Sequence, residues 1–564
     1  MKKKLLALFL AIAMMVGALV GCTGGSESEA PKPSNDSGSQ SESKDDGPKE
    51  YEFAKLKVGT PQPSNIDTYD GETNEFTKYL ESNLNLKLEF TFFPSSSANY
   101  LRQLALMASS SREKMPEVLL GFAGIDANIR NQYGEAGYFI NLKDYWDQFP
   151  NLQKKLEEAP ADVKGRLAAH MYDSDGAVYA APSFFTVSAV DDINMMWINK
   201  TWLDKLGLPV PTTVDELYDV LVAFKNNDCN ENGNKSDEYP LYGGTAICDY
   251  IINAYLYMDR GNPFNVYDGK LTHYALVPEF RDALTVLNGW YKEGLIAPYT
   301  FTATSSTEKK TTITPSSGLA KVGVFNGHPA TTATQTSAIL DNYVALNPLK
   351  DETGKGGYLV LGAKSMSFGS IITKDCENIE AACRLIDFFY VDETVSRQRH
   401  GVKDVDWEYG LGKNIFDDED AYVNVIDSNV FFSGVHTWGR NIAGCMTSQN
   451  YFAVENFKYH YDETIGRLLH EQIEVIRNSS LPKERAIEMI YTNEEYEERV
   501  TYGTDVNTWC SQYITYFITG EKDPSKDSDW DEFTNGLKKY DIDGFTKLMQ
   551  TCYDAQEERR AQFE

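Results

Sequence analysis

The sequence predicts an α/β protein of two lobes, each a mainly parallel sheet flanked by helices, with a helical C-terminal extension. Three observations predict it. The chain has 564 residues, enough for more than one hydrophobic core. Between Leu56 and Phe122, strand and helix patterns alternate, which argues a parallel sheet with helices on both faces. From Trp197 to Pro240 a short helix, a Gly-Pro break, a long amphipathic helix and a loop dense in carboxylates and amides follow one another, and the rest of the chain is organised around that unit.

In chain order, Met1 to Gly21 reads as a leader. Lys2, Lys3 and Lys4 form a positive start, and Leu5 to Val20 is an apolar run of signal-peptide length, too short to span a membrane comfortably. It ends in Leu19-Val20-Gly21-Cys22, a lipobox pattern with small residues for the peptidase and then a thiol to acylate, so Cys22 is the expected palmitate-bearing N-terminus of a lipoprotein. An ordinary secretory signal with an incidental cysteine is the alternative. One acyl chain anchors only marginally, so stable attachment needs more than one. Residues 22–50 are rich in Ser, Gly, Glu, Lys, Asp and Pro without apolar periodicity, a disordered tether.

Order begins near Tyr51. Leu56 and Val58 mark a strand, and Phe76, Tyr79 and Leu80 mark one face of a helix. Leu84, Leu86, Leu88, Phe90 and Phe92 alternate with polar residues, a half-buried strand. Leu101, Leu104 and Ala108 mark a further helix, and Glu117 to Phe122 a third strand. Ligands on such sheets bind beyond the strand carboxyl ends, where Gly59-Thr60-Pro61 and Gly121-Phe122 fall; plain turns explain those residues equally well. Past Trp197, Trp202, Leu203 and Leu206 line a short helix that stops at Gly207, with Pro209 and Pro211 preventing continuation. Thr213 and Glu216 then form a capping box before Val214, Leu217, Tyr218, Leu221 and Phe224 at helical spacing. Ser317 to Gly327 reads as turn, strand, turn. Glu377 to Tyr390, Glu463 to Ser479, Pro482 to Tyr491 and Asp541 to Glu558 read as helices.

Composition excludes several classes. The formal net charge of −30 disfavours nucleic acid and anionic lipid surfaces, which need a basic footprint. Beyond Cys22, the cysteines Cys229, Cys248, Cys376, Cys383, Cys445, Cys510 and Cys552 are odd in number and lack a CxxC pair, so neither a disulfide scaffold nor a zinc site is expected. Cys229 and Cys248 are left as an open pairing. Near pairs of acids at Asp191-Asp192, Asp404-Asp406 and Asp417 to Asp420 offer two carboxylates for glycoside hydrolysis, but 83 acidic residues produce such pairs by chance. No nucleophile elbow or phosphate-binding glycine loop occurs, and the chain is expected not to be an enzyme.

The motif Asn199-Lys200, Gly207, Pro211, Thr213, Glu216 and Leu217 resembles the carbohydrate-type solute-binding proteins of bacterial ABC importers. Asp175-Gly176 with Tyr179 and Pro182 resembles another of their patterns, as does Trp290-Tyr291 with Glu293-Gly294-Leu295-Ile296. Within the family the chain looks like the long, calcium-carrying lipoprotein branch of oligosaccharide and alginate binders. The resemblance implies a type II periplasmic-binding-protein-like fold: lobe 1 at 51–182 and 321–400, lobe 2 at 193–320 and 401–564, and a hinge at 183–192. It also implies that Ser317 to Gly327 returns the chain to lobe 1, and that closure on an oligosaccharide is followed by docking on ABC permease subunits in the membrane. The protein is expected to be a monomer, lipid-anchored on the extracytoplasmic face, with no nucleic-acid partner. A surface glycan-processing enzyme and a lipoprotein presenting peptides or signals are the alternatives.

Two sites are expected. Asp228, Asn230 and Asn232 place hard oxygens at alternate positions, as at positions 1, 3 and 5 of an EF-hand; Gly233 permits the turn; Asn234 (through its carbonyl), Asp237 and Glu238 close a structural Ca2+ shell. Tyr239 replaces the usual twelfth-position Glu, and the calcium-bearing relatives end in Asp-Glu one residue earlier. Sugar recognition needs flat rings for C–H faces. With 8 Trp, 34 Tyr and 28 Phe most rings must be core, and the candidates are Phe184 and Phe185 in the hinge, Tyr242 and Tyr250 after the acidic loop, Phe325, and Trp407 and Trp438 in loops.

Overall fold

The structure is a computed structural model. It describes residues 51–63, 70–110, 114–174, 176–185, 195–301, 306–328, 338–359, 366–413, 420–427, 430, 433–438, 444–447, 463–479, 486 and 489–561. Cys22, the leader and the tether lie outside the described residues, as do positions 186–192 of the expected hinge.

β1 (Ala54–Pro61) buries Leu56 and Val58 completely. The helix Glu75–Leu84 starts where the Asn74 side chain accepts from the Phe76 N–H, buries Phe76, Leu80 and Leu84, and ends at Asn85 in a left-handed conformation. β2 (Leu86–Phe93) then lies parallel to β1 at the sheet edge, and β3 (Val118–Leu119) lies parallel to β1 on its other side. After the helices Ala127–Glu135, Pro150–Glu158 and Ala161–Met171 comes β4 (Ala181–Phe185).

The chain now enters a second sheet as β5 (Met195–Asn199), buried at every position. The helix Lys200–Leu206 stops at Gly207 with φ 67°, the left-handed cap its sequence implies. The capping box forms: Thr213 Oγ1 accepts from the Glu216 N–H at 3.2 Å, and Glu216 Oε2 accepts from the Thr213 N–H at 3.3 Å. The helix it opens, Val214–Asn226, buries Val214, Leu217, Leu221 and Phe224. β6 (Tyr239–Tyr242), the hairpin β7 (Phe264–Tyr267) and β8 (Lys270–His273), the helices Pro278–Lys292 and Ser306–Ile313, then β9 (Val322–Gly327) and β10 (Tyr343–Leu346) follow. Their sheet order is β10-β5-β9-β6, with β7-β8 apart.

β11 (Met366–Ile372) brings the chain back to the first sheet, antiparallel to β3 and β4. The hairpin β12 (Trp407–Lys413) and β13 (Asp420–Val425) stands by itself, and β14 (Cys445–Met446) completes the first sheet in the order β14-β4-β11-β3-β1-β2. The helices Glu463–Asn478, Asn493–Thr519, Asp527–Lys539 and Ile542–Ala561 follow. Two large cores result. One holds Leu56, Leu88, Val118, Ile371 and Leu385; the other holds Ile198, Leu221, Val324, Leu284 and Phe517.

Each sheet contains one strand that runs against its neighbours, β11 in the first and β5 in the second. Each is the strand that receives the chain from the other sheet. The chain leaves at the carboxyl end of β4 and enters at Met195, so β5 must run away from the crossing while β6, β9 and β10 run towards it. The handover from β10 to β11 mirrors this. The carboxyl ends of the parallel strands in both sheets therefore point at the crossings, where α/β sheets place their ligands.

Sheet membership departs from the expected divisions in two places. Val322–Gly327 does not return the chain to the first lobe; as β9 it lies between β5 and β6, and the return comes between Leu346 and Met366. A turn-strand-turn pattern specifies a strand and not its partners. Residues 401–446 were expected with the second lobe, yet β14 pairs with β4 and Trp438 packs in the first core. Of the helix expected over Pro482–Tyr491, Ala486 and Met489–Tyr491 are not helical, and the positions between lie outside the described residues. Cys229 and Cys248 are both free and buried. Among the described residues no helix is long and apolar enough to cross a membrane.

Candidate ligand-binding and cation-binding sites

The acidic loop folds on its own side chains. Asp228 accepts from the N–H groups of Asn232 and Gly233 at 3.2 and 2.8 Å, and Asn230 Oδ1 accepts from the same Asn232 N–H at 3.1 Å. Asn232 Oδ1 accepts from the Asn234 N–H at 2.7 Å, and Asn234 Oδ1 from that of Ser236 at 3.2 Å. Gly233, at φ 85°, supplies the left-handed bend. Asn232 Nδ2 donates to Asp237 at 3.0 Å, and the Asn230 N–H donates to Glu238 Oε1 at 2.7 Å, so three carboxylates meet around two amides. Among the described residues, Lys321 pairs with Asp237 at 3.1 Å and Lys205 with Glu231 at 3.2 Å. Glu238 Oε2 and Asn230 Nδ2 are buried with no partner. Burial pushes the Glu238 carboxyl above its ordinary range, and the charges of Asp228 and Asp237 add to the effect.

This donor set is hard oxygen on a short loop with one buried carboxylate oxygen in surplus, which fits a hard cation such as calcium. As it stands, no three His, Cys, Asp and Glu among the described residues are grouped as metal donors. The set works only with its asparagines counted.

The candidate aromatic residues are not brought together. Phe184 packs in the first core, and Phe185, the last residue of β4, is described only in its backbone. Tyr242 and Phe325 are buried in the second core, Phe325 edge-on to Tyr343 with centroids 4.9 Å apart. Tyr250 is buried there too, its hydroxyl without a partner. Trp407 has no exposed surface and donates to the Gly401 carbonyl at 2.9 Å. Trp438 lies edge-on to Phe76 and Phe90 and donates to Thr77 Oγ1 at 2.8 Å. Each of these rings whose side chain is described is packed as core in this conformation.

Two features at the strand ends escape sequence reasoning. Phe92, read as an inward residue of an alternating strand, is 38 % exposed and stacks on Phe90 at 5.7 Å with a 5° interplanar angle. β2 is an edge strand. In the second sheet, Lys309 on the helix Ser306–Ile313 donates to Asn326 Oδ1 at 3.0 Å near the carboxyl end of β9. Nothing in the spacing of Lys309 or Asn326 marks them; only the fold pairs them.

Of the candidate catalytic carboxylates, Asp404 is exposed and Asp406 is engaged. Asp406 Oδ2 accepts from the Val402 N–H and meets His436 Nδ1, each at 2.7 Å, which ties the β12–β13 hairpin to the segment around His436. Asp191, Asp192 and Asp417 to Glu419 lie outside the described residues.

The two α/β bodies thus have the carboxyl ends of their parallel strands turned to shared crossings. The chain belongs to the bacterial extracellular solute-binding protein family, whose model matches residues 62–395. It is 29 % identical over 228 residues to the fructooligosaccharide ABC transporter substrate-binding protein FusA of Streptococcus pneumoniae, covering 38 % of this chain and 40 % of FusA. It is 30 % identical over 228 residues to the lipoprotein LipO of Bacillus subtilis, covering 39 % and 40 %. The sequence match thus spans about two fifths of each of these curated relatives. An extracellular solute-binding protein from Bifidobacterium longum subsp. infantis shares the fold with a TM-score of 0.72 at 21 % identity, over 89 % of this chain and 98 % of that one. A structure of an EF-hand mutant of FusA with fructo-nystose aligns with a TM-score of 0.64 at 20 % identity, over 89 % and 99 %.

Proposed function

We propose that this protein captures an oligosaccharide between its two bodies by hinge closure and delivers it to the permease of an ABC importer. The observation that carries the reading is the opposition of parallel-strand carboxyl ends at the crossings, in a chain of the solute-binding family. The name of FusA supports an oligosaccharide as cargo, and that of LipO supports attachment through an acylated Cys22. On this reading the first lobe follows the first sheet and the second lobe the second, the hinge being the segments that join them. The exposed Phe92 ring supplies a flat face for a sugar ring at the first sheet. Among the sequence candidates, Tyr250, with its unpartnered hydroxyl, is the best placed to reach a ligand once the bodies move.

Calcium would be held by Asp228, Asn230, Asn232, Asp237 and Glu238, with the Asn234 carbonyl. When bound it neutralises the three carboxylates and fixes the loop between the helix Val214–Asn226 and β6. The chain's own share is visible in the hydrogen bonds that already curl the side-chain oxygens inward.

A thermal-shift screen of the mature chain against neutral and acidic oligosaccharides and against peptides tests the proposal. A glycan that binds the native state raises the melting temperature by mass action. Stabilisation by peptides alone, or cleavage of the glycan, would overturn the reading.

A further inference from the structure

We infer that Lys309 and Asn326 form an anion-recognising point at the carboxyl end of the second sheet, and that the oligosaccharide taken is acidic, bearing a carboxylate or a sulfate ester. The inference rests on the proposed sugar-binding reading and narrows its substrate class.

Lys309 is half-buried, and among the described residues its ammonium has one neutral partner, the Asn326 amide oxygen. Among the described residues no charged group contributes to its ionisation; burial depresses its ammonium, to about 8. Lysines are rarely buried unless paired, because an unpaired buried charge loses its hydration without recompense. Shortage of acids is not the reason, since the chain has 83 acidic against 53 basic residues. Two other inward cations are matched by acids: Arg260 with Asp249 at 2.7 Å, and Lys155 with Asp392 at 2.6 Å.

Asn326 gives a second, independent sign. It has no exposed surface, yet its Nδ2 has no acceptor. The amide is held in place on its other side. A Cβ at position 243 would fall 2.2 Å from Asn326 Oδ1, so only glycine fits there. Trp197 Nε1 donates to the carbonyl of the next residue, Gly327, at 2.7 Å and fixes the strand end. Among the described residues, an ammonium without an anion therefore sits beside an amide donor without an acceptor, at the end of a strand that points to the crossing. One anionic substituent satisfies both. A protein of net charge −30 repels anions at long range, so an acidic cargo requires such a local cation.

The test uses the full mature chain with trigalacturonate, its methyl ester, a sulfated neutral trisaccharide and the unsulfated trisaccharide, read by calorimetry. Trigalacturonate or the sulfated sugar is expected to bind at least about tenfold more tightly than its uncharged counterpart, and which of the two does so identifies the anion. Lys309→Met should remove that preference while keeping any binding of the uncharged sugar, and Lys309→Arg should keep part of it. Because the anion favours the charged lysine, affinity for the acidic sugar should fall by about tenfold per pH unit above pH 8 in the wild type and stay flat in Lys309→Met. Equal affinity for charged and uncharged sugars, or a preference that survives in a folded Lys309→Met, overturns the inference and leaves the sugar-binding reading intact. Binding of no sugar at all overturns both.

Discussion

Arg130 in the first body and Lys309 in the second are both cations withdrawn from solvent, and the fold treats them differently. Arg130 is 1 % exposed and grips Asp173, itself fully buried, through Nε at 2.8 and 3.1 Å; its Nη2 donates to the His170 carbonyl, and its plane lies 4.6 Å from the Phe368 ring. Every face is used. Lys309 has one amide oxygen, and Glu238, its acidic counterpart in the second body, has a buried oxygen in surplus. The contrast separates charges that serve the fold, which are closed internally, from charges that await a ligand, which are not. It also explains why a count of ion pairs says little about function here: the informative groups are those left out of it.

Breaking the closed pair should have the largest effect. Asp173→Ala strands a buried guanidinium and is expected to lower stability by about 3–5 kcal/mol in urea unfolding; a change under about 1 kcal/mol would erase the contrast. Next comes the surplus carboxylate. Calcium at a hundredfold excess over its dissociation constant should add about 2.7 kcal/mol, and Glu238→Gln should abolish the shift while leaving the chelated protein at least as stable as wild type. An unchanged melting point with calcium and with chelator removes the cation from the account.

Lys309 makes a smaller, pH-dependent prediction. Its folded value, about 8, lies below the ordinary lysine value of 10.5. Between those limits the unfolded chain holds the extra proton, so ligand-free stability relative to Lys309→Met should rise with pH from about 8, by up to about 3 kcal/mol in all. A flat difference between the two proteins would show that the lysine is solvated. The smallest effect concerns a purely local device: Thr213→Ala removes one half of the capping box and should cost about 1 kcal/mol with calcium binding unchanged.

The sequence carried local devices well. The Gly207 stop, the Thr213–Glu216 box and the apolar stripe of Val214–Asn226 each depend on residues within a few positions, and all form as spaced. Strand existence was legible too; strand partnership was not. β9 reads the same in either sheet, and only pairing with β5 and β6 places it. The acidic loop was visible because its oxygens are close in sequence. The rings chosen as sugar platforms were not distinguishable from core, because a Trp whose indole N–H meets a backbone carbonyl, as Trp407 does, carries the same letter as one facing solvent. Lys309 and Asn326 are 17 positions apart on different elements, and no periodicity joins them.

The helix Asn493–Thr519 has a mechanical consequence. At 27 residues it is a rod of roughly 40 Å. Val506, Cys510, Ile514 and Phe517 seat its middle and far end in the second core, while Asn493 at its near end hydrogen-bonds Glu135 on a helix of the first. Such a rod acts as a door stay. A swing of one body against the other would load the Asn493–Glu135 contact, so a fluorescent label at that end should register opening and shutting.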